Sequence, residues 1–123
     1  MPVDLLIVDD SVAVRKVLQR LVRQAGLPVG NVWEAADGLE ALKTLDANPV
    51  DVLLTDINMP NMNGLELLRR LKSDPRLKQI PVIIISTESG QSTVMEAVEL
   101  GAAGFIRKPF TSDQVRDKLA AFC

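Results

Sequence analysis

Residues 50–64 read VDVLLTDINMPNMNG, and this stretch decides how the chain folds. Its first five residues, VDVLL, are dominated by Val and Leu and read as a strand inside a core. The run then passes through Thr55 straight into a carboxylate, Asp56, and then meets Asn58, Pro60 and finally Gly64, all loop formers. Aspartate is a common turn residue. A core strand that ends on one, ahead of a loop set by both proline and glycine, also reads as a strand tip holding an acid out for chemistry.

The same strand signal recurs on either side, at LLIV (5–8), VWEAA (32–36), VIIIS (82–86) and GFIR (104–107). Continuous apolar runs rich in Val and Ile mark strands covered on both faces. Between them lie stretches with helical spacing. Val14, Leu18, Leu21 and Ala25 make a stripe behind Ser11, an N-cap candidate. Leu39, Leu42 and Leu45 follow Asp37, a second cap candidate, and Leu65, Leu68 and Leu71 follow Gly64. Val94, Ala97 and Val98 precede Gly101, while Val115, Leu119 and Phe122 follow Thr111-Ser112. The period changes from strand to helix five times, with short connections and no linker. That alternation predicts an α/β domain, a five-stranded parallel sheet with helices on both faces.

The totals narrow the function. A chain of 123 residues, 47% hydrophobic and 24% charged with a formal net charge of −2, is one ordinary globular domain. Without a basic patch, no nucleic-acid partner is expected. Without an apolar run of about 18–20 residues, no membrane span is expected, and the N-terminus does not read as a signal peptide. Cys123 is the single cysteine, so no internal disulfide can form and a cytoplasmic location is expected. The chain has no histidine. Histidine catalysis, histidine metal ligation and a phosphohistidine-carrier role are therefore excluded.

In a parallel sheet the strand-to-helix junctions share the carboxyl edge, where ligands bind. Those junctions carry Asp9-Asp10, Asp56, Ser86 and Lys108. The junction after the second strand offers only Asp37-Gly38, which suits a turn and a cap. Three carboxylates at one edge repel one another unless a cation joins them. An all-oxygen set suits Mg²⁺, with Mn²⁺ as the second choice, rather than Zn²⁺. Lys108, a compact point charge, suits a phosphoryl group. Together these residues predict phosphoryl transfer with Asp56 as nucleophile. An Asp pair or a Lys-Pro alone would be a cap or a turn; it is their placement at one edge that carries the prediction.

These residues resemble the receiver domains of two-component response regulators. The resemblance covers essentially the whole chain, read as one receiver domain over residues 1–123. It rests on IVDDS (7–11), DINMPNMNG (56–64), IIIST (83–87) and FIRKPF (105–110), with spacing most similar to the family's single-domain chemotaxis members. The resemblance implies a flavodoxin-like sheet of order 2-1-3-4-5. It implies that Asp10, Asp56 and the main-chain carbonyl of Asn58 hold Mg²⁺, with Asp9 acting through water. It implies that Ser86 and Lys108 contact the phosphoryl group, that Lys108-Pro109 is cis, and that Ser86 and Phe105 form the switch. It makes Asn58 and Glu88 the residues that tune dephosphorylation. The implied donor is a phosphohistidine on a sensor histidine kinase. The implied output is a downstream protein, with the flagellar motor switch as a candidate, docked on the face of helix 4, strand 5 and helix 5.

Three residues depart from the family's commoner pattern: Ser86 stands for Thr, Phe105 for Tyr, and Thr87 for Ala. The Ser86 hydroxyl survives without the methyl that restricts its rotamer. Phe105 can swing but has no hydroxyl to offer a partner. Trp33, Met59, Met62 and Arg69-Arg70 are expected to pack or to face solvent. Other readings weighed are a receiver of another pathway, a receiver cut from a larger regulator, an aspartyl-phosphate phosphatase, and a flavin-binding domain. A phosphatase usually needs a second acid two residues past its nucleophile, where this chain has Asn58, so the chain is not expected to be an enzyme. A flavin site would want a Ser/Thr/Gly-rich loop after the first strand, where this chain has acids.

Overall fold

The computed structural model describes residues 2–87 and 91–123. Five strands alternate with five helices: β1 (Val3–Val8), α1 (Val12–Gln24), β2 (Val29–Ala35), α2 (Gly38–Ala47), β3 (Val52–Thr55), α3 (Gly64–Ser73), β4 (Val82–Ser86), α4 (Gln91–Glu99), β5 (Gly104–Arg107) and α5 (Ser112–Ala120). All pairings are parallel, and the sheet order is β2-β1-β3-β4-β5. This is the expected architecture, down to the strand order.

Alternation along the strands divides the core. Leu6, Val8, Leu53 and Ile84 point to one face, where Ala41 and Leu45 of α2, Leu67, Leu68 and Leu71 of α3, and Ala97 of α4 cover them. Leu5, Ile7, Val52, Leu54, Ile83 and Ile85 point to the other, under Leu18 and Val22 of α1 and Val115 and Leu119 of α5. The central strands β1, β3 and β4 are buried on both faces, as their uninterrupted apolar runs require.

The expected caps are present. Ser11 Oγ accepts from the Val14 amide, Asp37 Oδ1 from Glu40, and Thr111 forms a reciprocal capping box with Gln114. Some helix faces differ from the leucine stripes. Leu39 is exposed and α2 packs through Ala41 and Leu45, spaced i,i+4. Val98 of α4 is likewise exposed, and in α1 the fully buried pair is Leu18 and Val22. β2 begins earlier than VWEAA because Gly30-Asn31, a turn signal, is held within the strand. The register shifts between Val3 and Leu5, and the Asp4 carboxylate accepts from the Asn31 amide at 2.7 Å.

The loop after β3 is set by close approach. A Cβ on Gly64 would overlap the Asp56 carbonyl oxygen, and the Gly64 amide donates to the Ile57 carbonyl at 2.8 Å. Asn61 takes a left-handed conformation (φ 65°), which Asn tolerates, and its side-chain amide donates to Asp37 at 2.8 Å. Met62 is buried beside Gly38, and its carbonyl accepts from the Gly38 amide, so the loop is pinned to the start of α2. Gly64→Ala is expected to lower unfolding free energy by about 2–3 kcal/mol in urea denaturation. Gly104→Ala, whose Cβ would meet its neighbours at an ordinary 3.7 Å, should cost far less. Equal costs for the two would mean that the loop yields freely.

Trp33, on β2, pairs with Leu6 of β1 and packs against the core on the α2 side. Its Nε1 is buried without a hydrogen-bond partner among the described residues. Met59 packs against the same core. No helix among the described residues is long and apolar enough to cross a membrane.

Candidate functional site

The sheet ladder carries the site residues into place. The Asp9 amide donates to the Ala35 carbonyl at 3.1 Å, the Asp56 amide to Val8 at 2.9 Å, and the Lys108 amide to Ser86 at 2.9 Å. Each is the first residue past a strand, yet its backbone still pairs with the neighbouring strand. The three side chains therefore share one carboxyl edge.

Asp9 and Asp56 are only 2% and 9% exposed, while Asp10 is open to solvent. One carboxylate oxygen from each of Asp9, Asp10 and Asp56 lies within 4.8 Å of the others. Lys108 Nζ is 2.8 Å from Asp9 Oδ2 and 3.3 Å from Asp56 Oδ2. Burial alone would pull the Lys108 ammonium down in pKa. The hydrogen bond to Asp9 and the charges of Asp56 and Asp9 outweigh it and hold the group above the ordinary lysine value. The other carboxylate oxygens have fixed donors: Asp9 Oδ1 accepts from the Ser11 amide at 2.9 Å, and Asp56 Oδ1 from the Ile57 amide at 2.7 Å.

Ser86 is fully buried at the end of β4, with Ser86 opposite Arg107 in the β4–β5 register. Thr87, next in the chain, is exposed. Phe105 is half-buried on β5 and packs toward the α2, α3 and α4 side. Asn58 is exposed in the loop two residues past Asp56. Glu88 lies outside the described residues. Lys108-Pro109 is a cis peptide, as the resemblance implies. Asp37 is the expected cap, and its second carboxylate oxygen also accepts from Asn61 of the loop after β3.

Sequence reading assigns Lys108 to the phosphoryl group alone. The structure places it across two of the three acids as their counter-cation. It also adds a connection that strand-end inspection misses: Arg15 of α1 donates to the Asp9 main-chain carbonyl at 2.6 Å and pairs with Glu34 of β2 at 3.0 Å. The only trace of it in the sequence is an acid inside an otherwise apolar strand segment, VWEA.

Three carboxylates against one ammonium leave an excess of negative charge in a pocket of oxygen donors. This donor set fits a hard divalent cation. A strand-end carboxylate beside such a cation and a lysine is equipped to receive a phosphoryl group and to offset its charge.

Fold and site together define a receiver, and the chain belongs to the response regulator receiver domain family, whose model matches residues 5–120. Chemotaxis protein CheY1 of Helicobacter pylori is 44% identical over 116 residues, which cover 94% of this chain and 92% of that protein. Chemotaxis protein CheY of Pseudomonas aeruginosa is 39% identical over 115 residues, 94% of this chain and 91% of that one. The solved structure of the chemotaxis protein CheY4 of Vibrio cholerae superposes with a TM-score of 0.89 at 30% identity and covers both chains fully.

Proposed function

We propose that the chain, as a receiver over residues 1–123, is a phosphorylation-switched binding module of a chemotaxis pathway. The observation that carries this reading is the meeting of Asp9, Asp10 and Asp56 with Lys108 at one sheet edge. The names of its relatives, chemotaxis proteins at 39–44% identity, support the pathway.

Asp10, Asp56 and the Asn58 carbonyl would hold Mg²⁺ or Mn²⁺, with Asp9 acting through water; the ion supplies charge neutralisation at the reacting oxygens. The Asp56 carboxylate attacks phosphorus in line, the P–N bond of a kinase phosphohistidine breaks, and its electron pair returns to the imidazole, which takes up a proton. Lys108 turns from the acids to the phosphoryl oxygens, and the Ser86 hydroxyl donates to another. Ser86 and Phe105 then shift inward and reshape the α4-β5-α5 face for a downstream protein such as the flagellar motor switch. Water later attacks phosphorus, the bond to Asp56 breaks, and inorganic phosphate leaves. The chain acts on no other substrate in this scheme and is not an enzyme.

Incubation with a small acyl phosphate and Mg²⁺ should add one phosphoryl group, stable to acid and labile to alkali, seen by intact mass. A chelator should prevent it. No adduct under these conditions would overturn the reading.

Phosphoryl lifetime follows from what lines the path of the attacking water. The resemblance assigns that path to Asn58 and Glu88, both residue types able to hydrogen-bond a water, so the phosphoryl group should be short-lived. In the Asn58→Met, Glu88→Leu double variant, apolar side chains should slow its loss by about 10-fold or more, which is about 1.4 kcal/mol of barrier. Equal decay in variant and wild type would assign the lifetime to Thr87 and loop packing instead.

A further inference from the structure

Arg15 lies in the first turns of α1 with its side chain only 13% exposed. One end of its guanidinium donates to the Asp9 carbonyl at 2.6 Å, and its Nε meets Glu34 Oε1 at 3.0 Å. Glu34 sits in β2 opposite Ile7 of β1, so it is fixed by the sheet ladder. Its second oxygen takes Lys16 Nζ at 2.9 Å. Burial opposes the charged form of Glu34, but hydrogen bonds from Lys16 and Arg15 prevail and hold its carboxyl below the ordinary range.

The carbonyl that Arg15 grips belongs to the peptide joining Asp9 to Asp10. A peptide is planar, so fixing its carbonyl fixes the amide of Asp10 as well and limits where the Asp10 side chain starts. That matters because Asp10 has little else to orient it. It is exposed, and among the described residues no hydrogen bond or ion pair holds its carboxylate. Asp9, by contrast, has the Ser11 amide and Lys108.

We propose that Arg15, braced by Glu34, is a positioning residue for the acidic corner: it sets the Asp9–Asp10 peptide and thereby aims the Asp10 carboxylate into the cation site. This rests on the reading of the acids as a divalent-cation site. Two physical effects of removing Arg15 have opposite signs. Loss of a nearby positive charge, acting alone, would tighten binding of a cation. Loss of the brace would weaken it, and partners of metal ligands typically contribute about 10–100-fold in affinity.

The test is Mn²⁺ affinity, read from the free-ion electron paramagnetic resonance signal at a temperature where every variant is folded. Arg15→Met, which keeps the apolar stem, should bind Mn²⁺ about 10-fold more weakly than wild type. Arg15→Lys retains the charge but can reach only one of the two partners, so it should recover part of the affinity. Glu34→Gln should fall between wild type and Arg15→Met. If Arg15→Met does not fold, Glu34→Gln decides alone, and wild-type affinity in that variant overturns the proposal. Unchanged or tighter binding by folded Arg15→Met overturns it as well and leaves Arg15 as a tie between α1 and the sheet. Asp10→Asn separates the two levels. If it weakens binding while Arg15→Met does not, only the positioning role fails; if it binds as wild type does, the cation-site reading fails and the proposal with it.

Discussion

Asp56→Asn should carry no phosphoryl group after incubation with an acyl phosphate and Mg²⁺, where wild type gains one. The expected effect is total because the amide cannot serve as the attacking oxyanion. It should also be free of unfolding artefacts. The Asn carbonyl can still accept from the Ile57 amide, as Asp56 Oδ1 does at 2.7 Å, and Lys108 keeps Asp9 at 2.8 Å. Melting temperature in metal-free buffer should therefore stay near that of wild type, while the gain on adding Mg²⁺ should shrink, since one ligand charge is gone. A full-strength adduct on Asp56→Asn, measured by intact mass, would move the acceptor to another residue.

Lys108→Met should change metal-free stability most among the site variants that keep all three acids. Removing one partner from a buried charge group typically costs about 3–5 kcal/mol, and here about 1–3 kcal/mol is expected because the cluster opens to water at Asp10. Mg²⁺ should then restore more stability than in wild type, because the ion no longer competes with an ammonium; each tenfold gain in affinity adds about 1.4 kcal/mol at saturating ion. The pH dependence follows from the raised pKa of Lys108. Its folded value lies above its unfolded one, so its contribution is complete below the ordinary lysine value of about 10.4 and is lost as pH rises through the folded value. The stability difference between wild type and Lys108→Met should be full at pH 8 and should close in strongly alkaline buffer. A difference that does not narrow there would locate the effect in the lysine's apolar stem rather than its charge.

Much of this architecture is legible in the sequence, for a physical reason. LLIV and VIII read as buried strands, short apolar runs of Val, Ile and Leu, because a sheet clothed on both faces leaves few positions for a polar residue. Asp9-Asp10 after LLIV and Asp56 after VDVLLT stand out because an acid after such a run has no packing role. What stays illegible depends on partners across the sheet. Gly30-Asn31 looks like a turn until Asp4 is placed beside it to satisfy the Asn31 amide. Leu39 looks like core until the α2 face is known to run through Ala41. Arg15 and Glu34, 19 residues apart on a helix and an edge strand, meet only because β2 lies next to β1. Lys108 is visible as a site residue, but its attachment to the acids requires the distances.

The strand order has a further consequence, in the time domain. Asp9 and Lys108 are 99 residues apart in the chain, and Asp56 and Lys108 are 52 apart. No hairpin brings any two of them together; each pairing closes a loop through at least one helix. Parallel sheets assembled from such distant contacts fold comparatively slowly. β1, β3, β4 and β5 must all be in register before Lys108 can reach the acids, so under the proposed function the complete phosphoryl site would arrive with β5. On that reading, the chain would gain its signalling chemistry only on completing its sheet.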